Sequence, residues 1–152
     1  MGLDMYLKRG KCEDVEKWRK IPKSMFDELD EDQFDAVYPW KEVGYWRKAN
    51  MIRQWFVEKC GYPADEDCYE FELTKEDIEN LLADCLKILN AAPSNRERLA
   101  EETMPTASGF FFGGTEYDEY YYDYLHQTVD ICREVLETTD WDNEVVIYYE
   151  WW

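Results

Sequence analysis

Residues 144–152 have the sequence Glu-Val-Val-Ile-Tyr-Tyr-Glu-Trp-Trp, which is rich in β-branched and aromatic side chains and predicts a strand near the end of the chain. Near the beginning, residues 3–8 alternate apolar Leu3, Met5 and Leu7 with polar side chains, which is the period of a half-buried strand. We expect these two strands to pair, and their pairing decides the fold.

Between them the sequence predicts helices and one short strand. The expected elements are a helix over 41–60, a strand over 69–73, a helix over 75–92 and a helix over 117–138. Gly61 supplies a stop for the first helix. Thr74 and Asp77 have the spacing of a capping box at the start of the second, and Thr115 is the expected cap of the third. Asn50 lies inside the first predicted helix, where its low helix propensity indicates a buried hydrogen bond.

The order of these elements predicts an α+β fold, because strands and helices do not alternate regularly. We expect a single domain over 1–152, in which a small antiparallel sheet with paired N- and C-terminal strands packs against about three helices. Residues 10–35 show no clear period, and residues 93–108 are expected to be a linker with one or two helical turns at 96–102.

Composition excludes several classes of protein. The chain has 35 acidic and 17 basic residues, a net charge of −18, yet 45% of it is hydrophobic and 17% aromatic, which is unlike a disordered acidic tail. No apolar run is long enough to span a bilayer, and the first residues do not form a secretory signal, so we expect a cytoplasmic protein. Five cysteines without a CxxC pair indicate core thiols, and we expect no disulfide framework and no metal site.

The excess of acid is concentrated toward the C-terminus. Residues 101–152 contain 13 acids and a single base, Arg133. Such a field repels nucleic acid and anionic membranes and attracts basic proteins, so we expect no direct nucleic-acid or membrane partner. The hypothesis is a protein-interaction module that binds a basic protein; the alternative, that the charge only maintains solubility, stays open at this point. The expected partner-binding residues are Asp118, Glu119, Tyr122, Asp123, Asp130, Glu134 and Glu137.

A small-ligand or enzymatic domain is the competing hypothesis. It places a polar groove between the first strand and two helices, with Arg47 facing it. No pair of carboxylates is set apart for acid–base catalysis, and no nucleophile is assigned to His126, so no catalytic residue and no cofactor are predicted. The candidate ligand-binding residues of this alternative are Asp4, Tyr6, Arg47, Asn50 and Asp118.

The stretch 109–124 is the densest in aromatic residues. In one interpretation Phe111 or its neighbours fill the space between helix and sheet, and Gly113 and Gly114 let the chain turn back. In the other, the glycine-rich loop and the start of the third helix bind an anion. The stretch lacks the Lys-Ser/Thr of a phosphate-binding loop, which favours the first interpretation.

Three motifs carry a resemblance to a known family: Met-Gly-Leu-Asp-Met-Tyr-Leu at 1–7, Glu-Val-Gly-Tyr-Trp-Arg-Lys-Ala-Asn at 42–50, and Ser-Gly-Phe-Phe-Phe-Gly-Gly-Thr-Glu-Tyr-Asp-Glu-Tyr-Tyr-Tyr at 108–122. With them the chain resembles a family of small hypothetical proteins of bacteria and their phages. The family has no established activity or catalytic residues, so the resemblance implies no site residue. The phage association implies a class of basic partner, a host nuclease or other nucleic-acid-binding defence protein, inhibited by mimicry of the charge of DNA or RNA.

Overall fold

A computed structural model of the chain describes residues 2–109 and 112–152 and confirms the α+β class. An antiparallel sheet carries long helices on one face and short helices on part of the other. The described residues form, in chain order, β1 (Asp4–Lys11), α1 (Cys12–Arg19), α2 (Lys23–Phe26), α3 (Glu31–Val37), β2 (Lys41–Arg47), α4 (Asn50–Cys60), β3 (Phe71–Leu73), α5 (Lys75–Leu89), α6 (Pro93–Thr103), α7 (Glu119–Thr138) and β4 (Glu144–Trp151).

The expected pairing of the N-terminal and C-terminal strands is confirmed. The strand order is β2-β1-β4-β3, and β1 runs antiparallel to β4 with Asp4 opposite Trp151 and Lys11 opposite Glu144. Alternation along β1 buries Met5 and Leu7 against the long helices and turns the residues between them to the other face. The sheet therefore has two chemically different faces, which we call the helix face and the open face.

The prediction of one helix over 41–60 is wrong in its first third. Residues 41–47 form strand β2, where Gly44 and Trp46 are buried and Tyr45 and Arg47 are exposed. Gly44 faces α7 so closely that a Cβ there would come within 2.6 Å of the Cγ2 of Ile131. The chain leaves the strand through Lys48, whose φ is 58°, and only then begins α4. The helical spacing of apolar residues was real from Ala49 onward but accidental before it.

Most of the core lies between the helix face and helices α4, α5 and α7. Trp46 is fully buried and donates its indole N–H to the Thr128 hydroxyl at 2.8 Å. Phe56 stacks on Tyr148 with ring centroids 4.2 Å apart. Because α4, α5 and α7 each supply an apolar stripe to this layer, the sheet and the three helices fix one another's positions.

A buried ion pair joins α4 to β4. The Nε of Arg53 lies 2.9 Å from an Oε2 of Glu150, and the two side chains are 9% and 5% exposed. The Tyr148 hydroxyl donates to the same carboxylate at 2.8 Å, and the Arg53 guanidinium lies 4.7 Å from the ring centre of Phe112. Each charge is thus held by several partners, which is the condition under which a buried pair is tolerated.

Residues 10–35, which showed no clear period, fold into α1, α2 and part of α3 beside the open face. Aromatic packing holds them: the Trp18 ring lies 5.0 Å from Phe26, 5.6 Å from Phe34 and 5.3 Å from Tyr38. Val15 is the buried residue of α1. Rings at irregular spacing therefore take the place of an amphipathic stripe.

Several smaller expectations were corrected or confirmed. Gly61 ends α4 in a left-handed conformation with φ 76°, and the capping box at Thr74 is formed, as expected. The cap of the third long helix is Asp118 instead of Thr115, because the Asp118 carboxylate accepts the backbone N–H of Tyr121. The expected linker contains a full helix, α6, and the strand predicted over 69–73 begins only at Phe71. The prediction that Phe111 fills the core lies outside the described residues.

Candidate functional site

Helix α7 presents a continuous acidic surface on the side that faces away from the core. Five of its carboxylate residues, all exposed, fall within a sector of about 60° when residues advance by about 100° each, and they extend over about 27 Å of helix. We call this the acidic face, and its members are Glu119, Asp123, Asp130, Glu134 and Glu137. The opposite side of the helix is buried, so the acidic face is held on a rigid element.

The carboxylates of the acidic face are not neutralised by neighbours. Within the described parts of the chain, none of the five lies within 4.0 Å of a basic nitrogen. The surface ends toward the sheet edge, where Glu134 lines a groove with Arg9 and Lys41. Unpaired carboxylates on one side of a rigid helix add their potentials, and the sum extends over about 8 Å in physiological salt.

Two of the predicted partner-binding residues have other roles in the fold. Asp118 is exposed at the start of α7, where it caps the helix. Tyr122 is turned toward α6, under the Arg96 guanidinium at 5.4 Å and edge-on to Tyr121 at 5.1 Å. Tyr120 is the more exposed tyrosine of this turn, at 67%. The structure thus brings the acidic residues together and leaves Tyr122 beside them as packing.

The residues of the competing ligand groove separate into two groups. Asp4, Tyr6 and Arg47 meet on the open face, because Asp4 is opposite Arg47 in the register of β1 and β2. Their polar groups satisfy one another: Arg47 Nη1 lies 3.6 Å from an oxygen of Asp4, and the Tyr45 hydroxyl donates to the same carboxylate. Arg47 is 53% exposed and paired, so it does not face into a groove.

Asn50 lies on the other side of the sheet and is buried. Its amide nitrogen donates to the carbonyls of Phe112 and Gly114 at 2.9 and 2.8 Å, and its amide oxygen accepts the N–H of Ala107 at 3.0 Å. The expectation of a buried hydrogen bond is confirmed, and the bond ties the segment before α7 to the start of α4. Asn50 and Asp118 are therefore not assembled with Asp4, Tyr6 and Arg47.

The sequence analysis did not foresee a row of tyrosines across the open face. Tyr6 is directly opposite Tyr45 on β2 and Tyr149 on β4, with ring centroids 5.2 and 5.8 Å away. Tyr69 continues the row 6.1 Å beyond Tyr149. Burial raises the pKa of Tyr6 and of Tyr149, with the charge of Asp4 adding to the effect at Tyr6, so both hydroxyls remain neutral donors at physiological pH. The alternation of side chains along β1 and β4 was the available signal for this row, because it places Tyr6 and Tyr149 on the side of each strand that faces away from the core.

A concave region lies beside this row. It has a volume of about 380 Å³, and the Lys8 side chain is part of its lining. A second hollow of about 220 Å³ continues it toward Trp18, and Lys8, Tyr38, Trp40 and Tyr149 line both. We call the first hollow the Lys8 groove; its described lining is Tyr6, Lys8, Tyr38, Trp40, Glu42, Tyr149 and Trp151.

Other kinds of site find less support. Among residues 2–109 and 112–152, no three His, Cys, Asp or Glu side chains are grouped closely enough to hold a metal ion. None of the described helices combines the length and the apolar character needed to cross a membrane. Burial raises the pKa of the Cys60 and Cys132 thiols to about 12, which leaves both unreactive at physiological pH.

Comparison with known proteins adds no relative: no protein-family model, no curated protein and no solved structure matches this chain. Its function must therefore be argued from the two surfaces described above.

Proposed function

We propose that this chain is a protein-interaction module that binds a basic protein through the acidic face of α7. The observation that carries the proposal is that five unpaired carboxylates lie within one exposed sector of a helix whose opposite side is buried. A basic partner is attracted to such a surface before contact, and the attraction raises the association rate more than it raises the affinity of the final complex.

The distribution of bases distinguishes α7 from the segment beside the open face. A run of exposed bases, Lys17, Arg19, Lys20 and Lys23, lies on the segment that packs beside the open face. Helix α7 lies across the helix face, where Ile131 contacts Gly44. Residues 12–37 carry nine acids as well as these four bases, so bases and acids are mixed on that segment. Helix α7 differs from it in that its five carboxylates share one face and its sequence contains a single base, Arg133.

The proposed partner is a nucleic-acid-binding protein, whose phosphate-binding lysines and arginines the carboxylates would occupy. Proteins that contact phosphates carry clustered bases, which are complementary to a linear row of negative charge. The resemblance to proteins of bacteria and their phages supports a host defence nuclease as the target. In this proposal the module is an inhibitor without catalytic activity of its own.

The proposal is tested by capture of partners from a bacterial lysate at about 50 mM and about 500 mM salt, with mass spectrometry as the readout. The test variant replaces Asp123 and Asp130 with Asn and Glu134 and Glu137 with Gln. The control variant makes the same change of charge elsewhere, at the exposed Glu13, Glu16, Asp27 and Glu31. The net charge of both variants changes from −18 to −14, since four carboxylates are neutralised in each.

We expect the wild type and the control variant to capture nucleic-acid-binding proteins at low salt, with displacement by added double-stranded DNA. The α7 variant should capture them poorly, and high salt should weaken capture for all three proteins. Equal capture by the two variants would contradict the proposal, because only net charge would then matter. Capture that is insensitive to salt would contradict it as well.

A further inference from the structure

The Lys8 groove is independent of the acidic face, because it lies on the open face of the sheet while α7 packs on the helix face. Aromatic rings from three parts of the chain form its walls: Tyr6 from β1, Tyr149 from β4, and Tyr38 and Trp40 from the segment before β2. Its volume of about 380 Å³ falls in the range of about 300–1,000 Å³ that is usual for small-molecule sites. The groove has room for one ligand of about two fused rings.

The Lys8 ammonium in this groove has unused hydrogen-bonding capacity. Its Nζ donates to the Tyr38 hydroxyl at 2.9 Å and lies 5.0 Å from the ring centre of Tyr149 and 5.4 Å from that of Tyr6. No carboxylate of the described residues lies within 4.0 Å of it, in a chain with twice as many acids as bases. An ammonium has three donors, so two remain for a ligand.

Two neighbouring bases of the same sheet form ion pairs, whereas Lys8 does not. Arg9, the next residue of β1, lies 3.4 Å from Glu144, and Arg47 on β2 lies 3.6 Å from Asp4. Asp4 is the cross-strand partner of Arg47, whereas Glu42, which is opposite Lys8 on β2, forms no ion pair with it. Most of the other lining residues around Lys8 are aromatic, so the ammonium is left available to a ligand from outside the chain.

These observations restrict the chemistry of the ligand. A cationic ligand would be repelled by the Lys8 ammonium, which already occupies the aromatic cage. A long polyanion would be repelled by the net charge of −18 and by Glu42 in the lining. A compact ligand with one negative charge and a flat ring meets both conditions, since its ring can stack on tyrosine and tryptophan.

We propose that the Lys8 groove binds a small aromatic carboxylic acid. The ring of the ligand packs against the aromatic lining of the groove beside Lys8, and the carboxylate accepts hydrogen bonds from Lys8 Nζ. The neutral hydroxyls of Tyr6 and Tyr149 are further donors to the same oxygens. This site goes beyond the proposed function and does not depend on it.

The experiment uses three probes that share one ring and differ in charge: indole-3-acetate, indole-3-acetamide and tryptamine. Binding to the full chain is measured by isothermal titration calorimetry. We expect the acetate to bind at least about tenfold more tightly than the amide, because a hydrogen bond to a charged group is the stronger one, and tryptamine to bind most weakly.

Variants at Lys8 assign the preference to that residue. In Lys8→Met, which keeps the aliphatic stem, the acetate and the amide should bind equally, and in Lys8→Arg the preference should return. Lys11→Met removes an exposed lysine from the same strand, changes the net charge equally and should leave the preference intact. Circular dichroism verifies that each variant is folded.

Three results with the wild type and Lys8→Met would overturn the assignment. They are absence of binding of all three probes to the wild type, equal binding of acetate and amide to the wild type, and a preference that persists in Lys8→Met. Loss of the preference in Lys11→Met to the same extent as in Lys8→Met would also overturn it, because the effect would then be one of net charge.

Discussion

Replacement of Glu137 by Gln should stabilise this protein, although it removes a charge from the proposed binding surface. Glu137 lies in the last turn of α7, a turn that contains no base, and the negative end of the helix dipole disfavours a carboxylate there by about 0.3–1 kcal/mol. Glu134 precedes it by one turn, and such a like-charged pair costs about 0.2–0.5 kcal/mol. Arg133 lies one turn before Glu137, outside the last turn, and forms no ion pair with a described carboxylate.

The two terms together predict a gain of about 0.5–1.5 kcal/mol in the free energy of unfolding. Gln and Glu have nearly the same helix propensity, so propensity contributes little. For a chain of this size about 1 kcal/mol corresponds to about 2–4 °C, which gives a rise in Tm of about 1–6 °C. Urea and thermal unfolding followed by circular dichroism measure both quantities.

Glu119→Gln is the matched control, since Glu119 is also exposed but lies in the first turn of the same helix. There the helix dipole favours a carboxylate, and its loss offsets the relief of repulsion from Asp123. We expect no gain, or a small loss, in the control. An equal gain in both variants would refute the reasoning, because net charge alone would account for it, and so would a gain in Glu137→Gln that survives about 1 M salt, where the screening length is about 3 Å.

Three further predictions concern buried groups. Glu150→Gln should lower the free energy of unfolding by about 3–5 kcal/mol in urea titrations, because Arg53 keeps its charge in a site that is 9% exposed; a loss below about 1 kcal/mol would be contrary to this view of the pair. Asn50→Ala should lower the free energy of unfolding by about 2–3 kcal/mol and increase hydrogen exchange at the Ala107 amide. Unchanged exchange at that amide would show that its hydrogen bond to Asn50 is dispensable. Burial raises the pKa of the Cys132 thiol to about 12, above the value of 9.0 expected in the unfolded chain, so its contribution to stability is full below pH 9 and declines as the pH rises toward 12. Iodoacetamide at pH 9 should therefore label Cys132 only in denaturant, and labelling of Cys132 in the native protein would contradict the assignment.

The two central strands of the sheet were predictable because local pattern and tertiary environment agree there. Residues of β1 alternate apolar and polar side chains, and those of β4 are β-branched and aromatic, so both preferences point to the same structure. The capping box at Thr74 and the stop at Gly61 are equally local, since each depends on side chains or backbone conformations within four residues.

Strand β2 was missed because Val43, Trp46 and Ala49 recur at a helical spacing, whereas the buried side of the strand is formed by Gly44 and Trp46. The deciding contact is long-range: Gly44 is small because Ile131 of α7 lies against it. A glycine beside β-branched and aromatic residues was the one local sign of a strand, and it was outweighed by the apolar spacing of α4 that follows. Periodicity alone does not locate a boundary between a strand and a helix when a buried strand position is a glycine, which adds no apolar side chain to the pattern.

The acidic face was predictable as a set of residues, whereas the Lys8 groove was not. Carboxylates of α7 share a face through helical geometry, which sequence spacing determines. The groove depends on the register that places Tyr149 opposite Tyr6, and on α3 and its following segment bringing Tyr38 to Lys8. Neither relation is encoded in a local pattern, because the two residues of each pair are 143 and 30 positions apart.

The two proposed sites have separate physical requirements, so each can fail without the other. The acidic face needs only that α7 be rigid, and its effect is screened by salt because exposed charges act through solvent. Binding in the Lys8 groove needs a desolvated contact between Lys8 and a carboxylate beside aromatic rings, and partly buried pairs of this kind are screened much less.

A ligand in the groove is separated from α7 by the sheet, which is tied to that helix by buried contacts such as that of Trp46 with Thr128. Binding of indole-3-acetate should therefore leave partner capture through α7 unchanged, and calorimetry of the quadruple α7 variant should give the same preference for acetate over amide as the wild type. If neutralisation of α7 altered that preference severalfold, the field of the acidic face would reach through the sheet, and the two surfaces would have to be treated as one site.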